Sequence, residues 1–159
     1  MHADLERDVL ETCKAAGLMV ATVESCTGGL VSGALTEIPG SSAVLERGFV
    51  TYSNEAKAEL VGVPMALIDT HGAVSEEVAV AMAEGGLAHS RADLCVSITG
   101  VAGPGGSDFK PEGMVCFCAA RRDGPRITET HQFGPLGRPN VRSESVRVAL
   151  GLLIRRELH

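Results

Sequence analysis

Residues 18–29, Leu-Met-Val-Ala-Thr-Val-Glu-Ser-Cys-Thr-Gly-Gly, decide the fold class of this chain. The apolar run at 18–24 predicts a buried strand, and the residues after it predict a helix over 27–38. A buried strand followed directly by a helix is typical of α/β proteins. Ser25 therefore follows the carboxyl end of a strand. In open α/β sheets this is the edge where ligands bind.

The rest of the chain continues the alternation of strands and helices. Helix-like segments separate the first three predicted strands, which implies parallel crossovers, whereas the last connections resemble hairpins. We therefore predict one domain over residues 1–159, a three-layer α/β/α fold with a mixed five-stranded sheet. Its fourth strand is apolar throughout, which indicates a position covered on both faces, and it should run antiparallel to its neighbours. The predicted strands are 18–24, 47–52, 93–99, 114–120 and 126–133, and the predicted helices are 3–16, 27–38, 53–62, 75–90 and 139–157.

Composition and charge limit the classes of partner. The 159 residues include 14 basic and 20 acidic side chains, a formal net charge of −6. An acidic chain with 3% aromatic residues is a poor candidate for binding nucleic acid or an anionic membrane. Residues 121–159 nevertheless hold eight arginines against four acids. That bias allows a site for a small anion, and solvated arginines on outer faces explain it equally well.

The cysteines and the amino terminus indicate a cytoplasmic protein without a metal or cofactor. Five cysteines are an odd number, which favours reduced thiols, and Cys116-Phe117-Cys118 is too tightly spaced for a zinc site. The charged first residues are unlike a signal peptide. No apolar stretch is long enough to cross a membrane, so we expect no membrane partner.

Ser25 is the first candidate for chemistry. Backbone N–H groups of the following residues, 26–29, stand at the start of the predicted helix and could stabilise an oxyanion or hold a phosphate. The alternative is that Ser25 only caps the helix. Cys26 is a rival nucleophile, although its side chain is expected to point away from Ser25, toward the core.

A serine nucleophile needs a base, and Lys57 is the candidate. The segment Thr51-Tyr52-Ser53-Asn54-Glu55-Ala56-Lys57 leaves the second strand, so it should open onto the same sheet edge as Ser25. Lys57 can act as a base if desolvation lowers its pKa. The alternative is an ordinary surface lysine lying over its helix.

Three further features could contribute to a ligand site. The glycine-rich loop from Gly100 to Gly113 suits a wrapped ligand or a plain connection, and it lacks the pattern of a P-loop. His71 is an acid, a ligand group or a histidine satisfied within a turn. Arg138 and Arg142, at the start of the last helix, could face a phosphate or solvent.

Taken together, these segments resemble the C-terminal domain family of the competence/damage-inducible protein CinA, which includes stand-alone nicotinamide-nucleotide amidohydrolases. The resemblance runs in order over nearly the whole chain, with the glycine-rich loop about one residue shorter than in some relatives. The stretches that carry it are Ala21-Thr22-Val23-Glu24-Ser25-Cys26-Thr27-Gly28-Gly29, Pro39-Gly40-Ser41-Ser42, Arg47-Gly48-Phe49-Val50-Thr51-Tyr52-Ser53-Asn54-Glu55-Ala56-Lys57, His71-Gly72-Ala73-Val74-Ser75, Thr99-Gly100-Val101-Ala102-Gly103-Pro104-Gly105-Gly106 and Lys110-Pro111-Glu112-Gly113.

This resemblance implies a sheet of order 2-1-3-4-5 and hydrolysis of the carboxamide of nicotinamide mononucleotide to nicotinate mononucleotide and ammonia. It implies that Ser25 is the nucleophile, Lys57 the base and Tyr52 a further catalytic residue. A homo-oligomer is also expected. The alternative is a catalytically silent module that binds a nucleotide or a partner. The expected substrate-binding residues are Thr27, Gly28, Gly29, Asn54, Gly100, Ala102, Gly103, Lys110, Arg138 and Arg142.

Overall fold

The computed structural model describes residues 1–107 and 109–159 and contains a five-stranded sheet between two layers of helices. The strands are β1 (Val20–Glu24), β2 (Leu45–Val50), β3 (Leu94–Gly100), β4 (Met114–Arg121) and β5 (Arg126–Gln132). The helices are α1 (Ala3–Ala16), α2 (Leu30–Thr36), α3 (Asn54–Val61), α4 (Met65–His71), α5 (Glu76–Ala88) and α6 (Arg138–Leu153).

The sheet has the order β2-β1-β3-β4-β5. β1 pairs in parallel with β2 and β3, whereas β4 pairs antiparallel with β3 and β5. The predicted fold class, strand order and direction of the fourth strand are all confirmed. Because the first three strands are parallel, their carboxyl ends lie at one edge of the sheet.

β4 is apolar throughout because helices cover both of its faces. Val115, Phe117 and Ala119 join the core beneath α1, α2 and α6. Cys116 and Cys118 join a second core beneath α3, α4 and α5. This alternation of side chains along one strand separates the two cores of the three-layer domain.

The start of α2 differs from the prediction. The helix begins at Leu30 rather than at residue 27, because Gly28 and Gly29 adopt left-handed conformations with φ of 56° and 104°. The buried Glu24 carboxylate accepts the N–H groups of Val31 and Ser32 at 2.9 and 3.1 Å. A side chain at the end of β1 therefore caps the helix that follows it.

Several other boundaries differ from the sequence prediction. The first two strands were expected at 18–24 and 47–52 but span Val20–Glu24 and Leu45–Val50, so Tyr52 lies beyond its strand. The last helix ends at Leu153, and a short 3-10 helix follows it. α4 was not predicted, since Ile68 is its one buried residue and gives no periodic apolar pattern. No helix in the described ranges is both long and apolar enough to span a bilayer.

Candidate active site

The carboxyl ends of β1 and β2 place Ser25 and Thr51 side by side. Glu24 and Val50 are paired in the sheet, so the residue after each strand emerges at the same edge. The N–H of Ser25 donates to the carbonyl of Ile98 at 2.9 Å, and the N–H of Thr51 donates to the carbonyl of Glu24 at 2.8 Å. The backbone of Ser25 is therefore anchored to β3.

Lys57 reaches this edge from the first turn of α3. Ser53 caps that helix, accepting the N–H of Ala56 at 3.0 Å. Helical side chains tilt toward the amino terminus, which here directs the lysine toward the sheet. Its Nζ lies 3.2 Å from the Ser25 hydroxyl oxygen, and the residue is only 1% exposed. The predicted proximity of Ser25 and Lys57 is confirmed.

The environment of Lys57 makes a neutral amine more accessible near neutral pH than it is for a lysine in water. Burial lowers its pKa to about 8, although the nearby Cys26 and Glu55 raise it. Nζ also lies 3.0 Å from the carbonyl oxygen of Thr51 and 3.3 Å from that of Tyr52. A neutral amine has two N–H groups for these two carbonyls, which leaves its lone pair for the Ser25 hydroxyl. This is the arrangement that a general base requires.

Ser25 opens into a cavity of about 390 Å³, which we call the reaction cavity. The glycine-rich loop forms one wall, and residues 73–74 and Thr99 form another. The Thr99 hydroxyl donates to the carbonyl of Ala73 at 2.8 Å and ties these two walls together. Of the residues expected at the site, those lining the cavity are Ser25, Tyr52, Asn54, Lys57, Gly100, Ala102, Gly103 and Arg138.

Tyr52 contacts the pair through its backbone. Its carbonyl oxygen lies 3.3 Å from Lys57 Nζ and 3.3 Å from the Ser25 hydroxyl oxygen, so it competes with the lysine for the one hydroxyl proton, while its side chain is 60% exposed. The Tyr52 hydroxyl accepts from Nη2 of Arg138 at 2.9 Å. Nη1 of Arg138 donates to the carbonyl of Gly103 at 2.6 Å. Arg138 therefore links the tyrosine to the glycine-rich loop across the cavity.

The other expected residues lie outside the wall of the reaction cavity. Arg142 contacts the loop that begins at Ser25, residues 25–29, which we call the nucleophile loop. It donates to the carbonyls of Cys26 and Thr27 at 3.1 and 3.4 Å. The N–H of Gly28 donates to the carbonyl of Ser25. Lys110 lines a neighbouring cavity. In the described ranges the N–H groups of Cys26, Thr27 and Gly29 have no acceptor.

Cys26 faces the core, as expected from the sequence. It is buried in the cluster beneath α1, α2 and α6. Burial raises the pKa of its thiol to about 12, which leaves almost no thiolate at neutral pH. Ser25 is therefore the better nucleophile of the two neighbours.

Sequence reasoning missed Glu24, although it quoted the residue, and missed the carbonyl of Thr51. An acid at a strand end followed closely by two glycines is the signal that could have indicated a cap donated by the strand. The Thr51 carbonyl could not be found in this way, because every residue has a backbone carbonyl and the side-chain identity does not indicate its position. His71 was left open; it ends α4, and its Nδ1 lies 3.3 Å from a Glu77 carboxylate oxygen.

The arginines near the carboxyl terminus mostly lie at the surface and hydrogen-bond or pair with groups of the same chain. Arg122, for example, donates to the carbonyls of Leu87, Ser90 and Ala92 at the end of α5. Six of the eight are solvent-exposed, as the expectation of solvated arginines has it, and most of them also contact other groups of the chain. The arginines that contact carbonyls, a hydroxyl or carboxylates of the chain are Arg121, Arg122, Arg126, Arg138, Arg142, Arg147 and Arg155.

The fold and site define an open α/β domain with a buried serine–lysine pair at the carboxyl edge of its sheet. The chain belongs to the CinA C-terminal domain family, whose model matches residues 2–157. It is 51% identical over 150 residues to the nicotinamide-nucleotide amidohydrolase PncC of Escherichia coli strain K12, covering 94% of this chain and 90% of that protein.

Longer relatives and solved structures give the same family. The chain is 54% identical over 137 residues to a CinA-like protein of Mycobacterium marinum, covering 86% of this chain but 32% of that protein. The chain thus spans about a third of the length of the CinA-like relatives. The structure of the competence/damage inducible protein CihA from Agrobacterium tumefaciens matches with a TM-score of 0.93 and 48% identity, covering 96% of this chain and 93% of that one.

Proposed function

We propose that this chain is a nicotinamide-nucleotide amidohydrolase that converts nicotinamide mononucleotide to nicotinate mononucleotide and ammonia. The observation that carries the proposal is the 3.2 Å contact between the buried Lys57 amine and the Ser25 hydroxyl. Similarity to PncC over nearly the full length of both chains supports the substrate. The reaction is a hydrolysis by side chains of this protein and calls for no cofactor.

Acylation begins with neutral Lys57. The amine takes the proton of the Ser25 hydroxyl as the oxygen attacks the carboxamide carbon, so a C–O bond forms and the C=O π electrons move to oxygen. The attached pyridinium ring withdraws electrons and makes this amide more electrophilic. The transfer is direct, because Lys57 Nζ lies 3.2 Å from the Ser25 hydroxyl oxygen, whereas the Tyr52 hydroxyl contacts Arg138.

The oxyanion is proposed to meet the free N–H group of Cys26. Cys26 directly follows the nucleophile and lines the reaction cavity, and its N–H has no acceptor in the described residues, whereas Gly28 donates its N–H to the Ser25 carbonyl. Losing one such donor typically costs about 10²–10³ in rate. The expected contribution of Gly28 and Gly29 is then conformational, since their positive φ angles turn the loop.

Three proton transfers complete the cycle. Lys57 returns its proton to the leaving nitrogen as the C–N bond breaks, releasing ammonia and leaving an ester on Ser25. Water then attacks this ester and gives a proton to Lys57. The lysine passes it to the Ser25 oxygen as the acid is released.

The remaining cavity residues are proposed to position the substrate. Gly100, Ala102 and Gly103 present backbone groups of the glycine-rich loop, Asn54 presents an exposed amide, and Arg138 closes the space between that loop and Tyr52. Arg142 positions the nucleophile loop through its hydrogen bonds to the carbonyls of Cys26 and Thr27. The homo-oligomer and the cytoplasmic location stay predictions.

Product analysis tests the activity. The purified protein is incubated with nicotinamide mononucleotide, and ammonia and nicotinate mononucleotide are both quantified. We expect the two products in equal amounts. Binding of the mononucleotide without ammonia release would instead identify the chain as a silent nucleotide-binding module.

A further inference from the structure

We infer that the protonated form of the Ser25–Lys57 pair is a binding site for the acid product, so that the enzyme is inhibited by its own product as the pH falls. This inference rests on the proposed function and adds a regulation of the same site. Substrate and product differ in one group, which faces Ser25 during the reaction. That group is a neutral amide in the substrate and a carboxylate in the product.

Lys57 is a buried cation without a counter-ion once it is protonated. The residue is 1% exposed, and the ion pairs among the described residues do not include it. Two titratable groups act on its charge, and neither pairs with it. The Cys26 thiol stays neutral because burial raises its pKa to about 12, and Glu55 is exposed to solvent. A buried charge without a partner is costly, so an anion that approaches this ammonium is stabilised.

The other charged groups of this region are exposed or engaged elsewhere in the chain. They lie on α3 itself and on β2, α4 and α5, the elements that pack against α3. These groups are Glu59, Glu46, Arg47, Asp69, His71, Glu76, Glu77 and Glu84. The counter-ion that the ammonium lacks within the described part of the chain can therefore come from a ligand.

The reaction cavity has positive charge and no negative charge in its wall. Among the described residues that line it, Lys57 and Arg138 are basic, and none is an aspartate, a glutamate or a histidine. Arg138 donates to uncharged oxygens, the Gly103 carbonyl and the Tyr52 hydroxyl, so its charge also remains uncompensated there. A carboxylate formed in this cavity meets opposite charge and no like charge.

Protonation of Lys57 reverses the polarity of the Ser25 hydroxyl. The neutral amine accepts the hydroxyl proton, so the Ser25 oxygen presents lone pairs to the cavity, where they attack an amide and repel a carboxylate. The ammonium has a third N–H, which is left for the Ser25 oxygen at 3.2 Å because the carbonyls of Thr51 and Tyr52 take the other two. The hydroxyl then donates its own proton, and a carboxylate is a stronger acceptor for it than the Tyr52 carbonyl at 3.3 Å.

Substrate and product therefore select different protonation states of one site. The amide reacts with the neutral pair, whereas the acid binds the protonated pair, and a ligand shifts a protein toward the state that it binds better. Binding of the product should accordingly be accompanied by proton uptake. Because burial lowers the pKa of Lys57 to about 8, the change of state falls near neutral pH.

The test measures the binding of nicotinate mononucleotide by titration calorimetry between pH 7 and 9.5. For the wild type, the dissociation constant should rise about tenfold per pH unit above pH 8, as the ammonium is lost. At pH 9, titrations in two buffers of different ionisation enthalpy should show uptake of about one proton per product bound. In assays of ammonia release, the product should compete with the substrate more strongly at pH 7 than at pH 9.

Lys57→Met should bind the product roughly 10- to 100-fold more weakly at pH 7, the loss typical of one charged hydrogen bond, with neither pH dependence nor proton uptake. Lys14→Met is the matched control, since Lys14 is an exposed lysine on α1, and it should behave like the wild type. A wild-type affinity that is equal at pH 7 and 9.5 would overturn the inference, as would the same pH dependence in Lys57→Met.

Failure of this inference and failure of the proposed function give different results. A protein that releases ammonia from the substrate but binds the product without proton uptake retains the proposed activity and lacks this regulation. A protein that binds the acid with proton uptake but releases no ammonia has the carboxylate site without the proposed activity.

Discussion

Lys57 is the residue on which the proposed chemistry depends. A lysine in water is charged at neutral pH and is useless as a base. Here burial lowers its pKa to about 8, and two carbonyls occupy its N–H groups. The same burial that makes the side chain costly for folding suits it to the proposed role of base for Ser25.

The pH dependence of the activity follows from this pKa. Because the base must be neutral, kcat/KM should rise about tenfold per pH unit below pH 8 and level off above it. The measurement is ammonia release at low substrate concentration between pH 6 and 9.5. A rate that is flat over this range would show that an amine of this pKa is not the base.

The sequence predicted that Ser25 and the segment containing Lys57 lie at the same sheet edge, because parallel strands end together, but not the carbonyls around the lysine. On the residues alone Lys57 was either a base or an ordinary surface lysine, and the resemblance to the CinA C-terminal domain family implied the pair. The carbonyls of Thr51 and Tyr52 depend on where β2 ends, and the sequence placed that end two residues too late. Backbone groups carry no signature in residue identity, so their role needs coordinates.

At the scale of elements, Glu24 connects β1 to α2. The stretch 18–29 predicted a strand followed by a helix, and that is correct. It did not predict that the helix would begin at Leu30, since the capping carboxylate comes from the strand rather than from the usual position just before the helix. The turn between them, 25–29, contains the proposed nucleophile Ser25 and the free N–H groups that follow it.

Glu24→Gln tests this connection. An amide has a single oxygen and no charge, so it cannot accept both the Val31 and Ser32 N–H groups as the carboxylate does. We expect the free energy of unfolding to fall by about 1–3 kcal/mol, the cost of a weakened buried charged hydrogen bond. Denaturant unfolding measures it. Glu11→Gln, on the exposed side of α1, is the control and should change stability little. Equal stability of both variants with the wild type would show that the cap is not needed.

At the scale of the molecule, the architecture was predictable because several independent sequence patterns indicate the same topology. Strands and helices alternate, and the apolar pattern of β4 places it within the sheet, so errors of a few residues at each boundary did not alter the topology. α4 escaped prediction because a short helix with one buried residue leaves no periodic pattern. The use of the arginines was also beyond the sequence, since carbonyl partners such as that of Leu87 lie far along the chain.

The burial of Lys57 should also be measurable in the stability of the whole domain. Its pKa falls from 10.5 to about 8 on folding, so between these values the unfolded chain binds the proton more tightly. The stability that wild type has relative to Lys57→Met should therefore rise with pH, by roughly 3 kcal/mol between pH 8 and 10.5.

Below pH 8 the difference should be constant, and Lys57→Met should be at least as stable as the wild type, because it removes a buried charge. Denaturant unfolding of both proteins from pH 7 to 10.5 gives the difference directly, and other titrating groups largely cancel. A difference that does not vary with pH would mean that folding leaves the ionisation of Lys57 unchanged.

The rate of ammonia release from nicotinamide mononucleotide by Ser25→Ala, beside Cys26→Ala, tests the central claim most directly. The account predicts a loss of at least about 10³-fold in kcat for Ser25→Ala, as for other serine nucleophiles. It predicts near wild-type turnover for Cys26→Ala, whose thiol faces the core. Turnover by a folded Ser25→Ala protein within tenfold of the wild type would contradict it.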